Sequence, residues 1–137
     1  MQPKSASALL IAGVALLVMT AYSLAPAQPV LPKPMSCKDF PVAIYPSHTS
    51  ASCETSAGPP LNHTAYIESA DSVEKVTAYY KTQVQSAGWT VDPMEVESPT
   101  RALVSMKKGK GYANAVINAK MGGTGSRIQI HAYPNGN

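Results

Sequence analysis

The stretch Asp71-Ser-Val-Glu-Lys-Val-Thr-Ala-Tyr-Tyr-Lys-Thr-Gln-Val-Gln-Ser-Ala-Gly-Trp89 decides the fold. Val73, Val76, Tyr80, Val84 and Ala87 recur at steps of three and four, which places one apolar stripe along a helix. Glu74, Lys75, Lys81, Gln83 and Gln85 take the wet side. Asp71 with Glu74 three residues on, and Ser69 and Ser72 nearby, predicts a capping-box start. Gly88 predicts a left-handed stop, with Trp89 folded back on Val84. The spacing therefore predicts a helix over 71–87 whose stripe needs a surface to cover.

That surface follows in the sequence. After Trp89 the period changes to two. Trp89 to Val91 begins a strand that Pro93 interrupts, and Met94 to Val96 continues it at an edge. Ala102, Val104 and Met106 alternate with Arg101, Ser105 and Lys107. Beyond Lys108-Gly109-Lys110-Gly111, the residues Ala113, Ala115, Ile117 and Ala119 alternate with Tyr112, Asn114, Val116, Asn118 and Lys120. Beyond Gly122-Gly123-Thr124-Gly125, Ile128, Ile130 and Ala132 alternate with Arg127, Gln129, His131 and Tyr133. Short glycine turns between alternating runs predict an antiparallel meander. A further strand near Thr64 to Ile67 precedes the helix. The expected fold is α+β, one amphipathic helix on an antiparallel sheet of four to five strands.

Upstream, residues 47–60 are rich in Ser, Thr, Gly and Pro and read as loop. Pro26, Pro29, Pro32, Pro34, Pro41 and Pro46 make residues 26–46 a semi-rigid extended tether. The domain is expected to occupy residues 47–137.

Residues 5 to 32 carry no charge, and Ala6 to Ala25 is almost wholly apolar. Two readings compete for residues 1–25. The run Ala8 to Met19 has the length of a signal-peptide core, about 7–15 residues, and Ala25-Pro26-Ala27 offers a cleavage site before Gln28. Pro26 and Pro29 make that context poor. Ala6 to Ala25 also suits a retained membrane span of about 20 residues. Its small residues Ala12, Gly13 and Ala15 would let a neighbouring helix approach closely. Lys4 and the α-amine put the N-terminus in the cytoplasm and the remainder outside it. The anchor is the preferred reading, with the lipid bilayer as partner through residues 6–25. Such a chain is a single-pass membrane protein with an extracytoplasmic domain. Cleavage would instead release a secreted one.

Outside the cytoplasm, Cys37 and Cys53 most simply pair as a disulfide, and two free thiols are the alternative. The net charge of +3 conceals a division. All eight carboxylates lie between Asp39 and Glu97, alongside only Lys75 and Lys81. Arg101, Lys107, Lys108, Lys110, Lys120 and Arg127 follow with no acid among them. Mutual neutralisation of the two halves is the preferred account, and an anionic partner at the basic hairpin is the other.

The order Tyr45-Pro46, Asp71-Ser72-x-Glu74-Lys75-Val76, Tyr79-Tyr80-Lys81, Ala87-Gly88-Trp89 and then hairpins resembles small exported bacterial domains of unclear function. In those a helix reading D-S-x-E-x-V-x-x-Y-Y packs on a meander sheet. The resemblance covers about residues 44 to 133. It implies a bacterial, exported α+β domain, which with the anchor reading places the chain in the bacterial inner membrane with a periplasmic domain, and it carries over no catalytic residue.

The search for chemistry is short. His48, His63 and His131 show no metal-ligand spacing, and two cysteines are an incomplete ligand set. Glu95 and Glu97 read as solvated edge charges. The loop at 122–126 lacks the G-K-[ST] of a phosphate cradle. Asn62-His63-Thr64 matches a glycosylation sequon. No catalytic residue, metal or cofactor is assigned, and the chain is not expected to be an enzyme. Cations without interleaved stacking aromatics, in the wrong compartment, argue against nucleic acid. The expected function is that of a membrane-tethered accessory or interaction subunit of a larger membrane complex. Lys107, Lys108, Lys110, Tyr112, Arg127, His131 and Tyr133 are its candidate contact residues. The alternative is a secreted binding module for a small molecule or polymer, with Tyr112, Tyr133, Arg127 and His131 lining one pocket.

Overall fold

The computed structural model describes residues 30–56, 58–92 and 97–136. The apolar segment with Ala12, Gly13 and Ala15 lies outside the described residues, as do Met94 and Glu95. No helix among the described residues is long and apolar enough to cross a membrane.

One helix packs on one antiparallel sheet, as the periodicities predict. The strands are β1 (Lys33–Met35), β2 (His48–Thr55), β3 (His63–Ser69), β4 (Thr90–Val91), β5 (Glu97–Ser98), β6 (Arg101–Lys108), β7 (Gly111–Ala119) and β8 (Ser126–Tyr133). The helix α1 is Val73–Ser86. The sheet has eight strands, in the order β1-β2-β3-β8-β7-β6-β4, with β5 also on β6. This exceeds the expected four to five.

The helix is cut and stopped by local chemistry. The N-cap is Ser72 rather than Asp71, because the Ser72 hydroxyl accepts from the Lys75 amide. Asp71 instead ion-pairs with Lys75 at 2.8 Å. At the other end Gly88 takes φ +87°. The Trp89 amide then donates to the Val84 carbonyl at 3.1 Å and the Gly88 amide to Gln85 at 3.0 Å, the paired bonds of a Schellman stop. Val73, Val76, Thr77, Tyr80 and Val84 are buried, whereas Ala87 at the end of the expected stripe is exposed. They meet Ala102, Val104 and Met106 of β6 and the small Ala113 and Ala115 of β7, which let the helix sit close. Tyr80 is fully buried in the space this leaves. Each large side chain so buried contributes about 1.5–3 kcal/mol.

Two expectations upstream are overturned. Residues 47–60 are not all loop: His48–Thr55 is the eight-residue β2, paired with β3 along its length. Its inward positions Ala51, Cys53 and Thr55 include no large apolar side chain, and its outward ones are Ser50, Ser52 and Glu54, so the alternation carries little hydrophobic contrast. Nor do residues 33–46 act as a free tether. Lys33–Met35 pairs with β2, and Phe40, Val42 and Tyr45 belong to the core. Phe40 meets the His63 ring edge-on at 6.5 Å, and Tyr45 meets Tyr79 of α1 at 5.1 Å. This strap covers the part of the inner sheet face that the single helix leaves bare. Its ends are fastened by the Cys37–Cys53 disulfide and by the Tyr45 hydroxyl, which donates to Asp71 at 2.7 Å. Burial and that bond push the Tyr45 phenol up to about 12.

Candidate functional site

The inner sheet face is spent on the core. The outer face is where side chains are free to act, and strand register orders it into rows. Pairing of Tyr112 with Tyr133 and Lys107 with Tyr112 makes one row at the end of β6, β7 and β8. The two tyrosine rings stack at 4.5 Å with their planes 14° apart. The next row runs Ser105, Asn114, His131, Thr64 and Glu54 across five strands. Within it the Thr64 hydroxyl lies 3.3 Å from His131 Nδ1, and it also reaches the Asn62 side-chain carbonyl at 3.4 Å. The Asn62 amide donates to the Tyr133 hydroxyl at 3.5 Å. Stack and network together form one polar–aromatic patch at this end of the sheet. The network also occupies the side chains of the sequon at Asn62.

The other end of the outer face is charged. Glu68 on β3 accepts from Lys120 and from Arg127, each at 3.2 Å. Lys120 first and Arg127 second hold its carboxyl below the usual carboxylate range. Here one carboxylate of the acidic half meets two cations of the basic half. Beside it a groove of about 600 Å³ runs past Ser52, Tyr66, Asn118 and Gln129. Tyr66 is 45% exposed there, and Met121 at the β7–β8 turn is 98% exposed.

The candidate contact residues therefore divide. Tyr112, Tyr133 and His131 come together, with Lys107 in register beside Tyr112. Arg127 does not join them, since six residue steps along β8 separate it from Tyr133, about 20 Å. A single pocket lined by Tyr112, Tyr133, Arg127 and His131 is not formed. Lys108 serves the fold, with its amine donating to the Ala87 carbonyl at 2.8 Å and capping α1. Lys110 is exposed in the β6–β7 turn. Asn62, Thr64 and Asn114 were not among the candidate contact residues, although alternation in β3 and β7 already places Thr64 and Asn114 on the outward face.

The side chains of the three histidines lie apart from one another. His48 Nδ1 lies 2.6 Å from the Tyr45 carbonyl. His63 faces inward, its Nδ1 buried without a partner, and burial pushes its pKa below the usual value. His131 sits on the opposite sheet face from His63. Among the described residues, no group of three or more His, Cys, Asp and Glu could hold a metal. A second concavity of about 430 Å³ lies between α1 and the β5–β6 turn, floored by Val73, Thr77 and Ala102 with Glu74 and Lys81 at its mouth.

A family model described as START domain-like matches residues 48–129, from the first residue of β2 into β8. The strap and β1 lie outside the match. No curated protein matches the chain, and no solved structure does.

Proposed function

The chain belongs to the START domain-like family, and on that premise we propose that it is a membrane-tethered, extracytoplasmic interaction subunit of a larger membrane assembly. Its work is to hold a partner non-covalently rather than to transform a substrate. The observation that carries the reading is the outer sheet face. There the Tyr112–Tyr133 stack and the Asn62–Thr64–His131 network form an ordered polar–aromatic surface. Tyrosine suits such a surface, giving large contact area at low entropic cost. The uncharged run at residues 5–32 supports the anchor, and the disulfide supports an oxidising compartment.

Photo-crosslinking in native membranes tests the proposal. A crosslinker at Gln129, on the outer face, should capture a membrane protein, whereas one at Thr82, exposed on α1, should not. Equal capture from both positions sinks the face assignment. A mature chain that begins at Gln28 and leaves the membrane sinks the anchored role. The groove beside Tyr66 favours a second reading, a secreted module that binds a small molecule or polymer there. Release of the chain together with saturable ligand binding lost on Tyr66→Ala would establish it.

A further inference from the structure

The sheet has two ends of different chemistry, and one of them is where the chain arrives. The ends of β2, β6 and β8 and the starts of β1, β3 and β7 lie along one edge, because Lys33 pairs with Thr55, Thr55 with His63, His63 with Ala132, Tyr112 with Tyr133, and Lys108 with Gly111. Val30, 68% exposed, and Leu31, 76% exposed, lead into that edge. Leu61, 42% exposed, stands beside them in the β2–β3 loop. Val30 shares a surface recess with Pro59, Pro60 and Tyr133. From Leu61 the edge continues through Asn62 to Tyr133 and Tyr112, and the backbone at Gly136 closes against Lys110. Lys107 and Lys110 therefore share an edge with three exposed aliphatic side chains. At the opposite end the cations Lys120 and Arg127 are engaged by Glu68, and Met121 is the one exposed large apolar side chain among the described residues there.

We propose that this edge, through Val30, Leu31, Leu61, Lys107 and Lys110, is the membrane-contacting surface of the domain and docks on the anionic headgroups of the bilayer that holds the chain. The proposal rests on the anchored reading above and adds an orientation to it. Chain length argues for it. From Ala25, the last residue of the apolar run, to Val30 is five steps, at most about 18 Å of extended chain. An edge leashed so closely meets the headgroups. Its composition suits them, with aliphatic side chains for the interface and lysines for anionic lipid. The far end, at Met121, stands roughly 27 Å away along β7.

The full chain is reconstituted in vesicles of two parts phosphatidylcholine to one part phosphatidylglycerol, with an environment-sensitive fluorophore on Leu61→Cys or on Met121→Cys. Because Cys37 and Cys53 are paired, the introduced thiol labels alone in the absence of reductant. The Leu61→Cys label should shift to the blue and be quenched by lipid-borne quencher, and the Met121→Cys label by aqueous iodide. Lys107→Gln with Lys110→Gln should lower the ratio of docked to undocked domain about thirty-fold, at about fivefold per lysine near an anionic surface. In pure phosphatidylcholine the pair should have no effect. Lys108 is kept, because it caps the helix. An alkaline carbonate wash separates the two ways of failing. A chain that washes off removes the anchor and this orientation together. A chain that stays while both labels are equally water-accessible overturns the orientation alone.

Discussion

Reduction of the Cys37–Cys53 disulfide is expected to cost about 3 kcal/mol. Sequence separation is 16, and closing a loop of that length removes unfolded-chain entropy worth about 3 kcal/mol at room temperature. The bond closes the strap onto β2, so its loss acts on the unfolded chain and also loosens the element that brings Phe40, Val42 and Tyr45 to the core. Urea unfolding of the full chain in mild detergent, with and without reductant, measures the effect. Trp89 is a built-in reporter, being the only tryptophan and 5% exposed beside the helix stop. For a domain of about 100 residues, a 3 kcal/mol loss corresponds to a fall in Tm of roughly 12–20 °C. Cys37→Ser with Cys53→Ser should reproduce it. A coupling measurement tests the strap itself. Phe40→Ala should cost about 3 kcal/mol or more in the oxidised chain, and clearly less once the strap is released. A change in stability under about 1 kcal/mol on reduction would refute the entropic argument. An unchanged Phe40→Ala cost in the reduced chain would refute the idea that the disulfide holds the strap down.

Other substitutions probe separate joints. Gly125 has φ +109°, and a Cβ there would run into the Ser69 carbonyl, so Gly125→Ala should cost at least about 3 kcal/mol and show as a lowered urea midpoint. Lys108→Met removes the cation at the end of α1 and should cost about 0.3–1 kcal/mol, a loss that shrinks in high salt. The folded state resists protonating His63, whose pKa lies below its ordinary value of 6.5. As pH falls through about 6.5 the unfolded chain takes up that proton first, so stability declines on the acid side. His63→Leu should flatten the decline between neutral and mildly acidic pH in the same urea assay. Tyr45 behaves in the opposite sense. Its folded pKa of about 12 exceeds the ordinary 10.0, so its contribution is intact below pH 10 and lost as pH rises towards 12. Tyr45→Phe should remove this part of the alkaline decline.

The helix and the meander were legible because each element satisfies its own pattern. Val73, Val76, Tyr80 and Val84 hold the helical period, and Gly88 with Trp89 stops it where left-handed geometry requires. The hairpins were legible from glycine turns between runs of alternating residues. What escaped was held by tertiary context. The inward side of β2 is Ala51, Cys53 and Thr55, so its strand character comes from pairing with β3. Pro32, Pro34, Pro41 and Pro46 read as a spacer because extended geometry looks the same in a tether and in an edge strand. The available signal was Phe40, Val42 and Tyr45, three large apolar residues in a segment that a solvated tether would leave polar. At the site, alternation correctly put Tyr112, His131 and Tyr133 on one face. It could not say that Arg127, on the same face, belongs to the far end until strand length and register were known.

Folding the strap into the domain changes what the proposed anchor could do. With residues 26–46 as spacer, the leash from Ala25 would reach about 75 Å at full extension, enough for the domain to turn freely above the membrane. With β1 beginning at Lys33 and Val30 already beside the β2–β3 loop, the leash is about 18 Å, less than the length of β7. A body on so short a leash cannot present its far end to the bilayer without lifting the near one. On the proposed anchored reading the strands would stand up from the membrane, with the outer sheet face pointing sideways, along the plane of the bilayer. A surface so aimed meets the extracytoplasmic part of a neighbouring membrane protein more readily than a soluble ligand arriving from above. The disulfide governs this geometry as well as stability. Once Cys37 and Cys53 part, the strap is held by the three-residue β1, by the packing of Phe40, Val42 and Tyr45, and by the Tyr45–Asp71 bond.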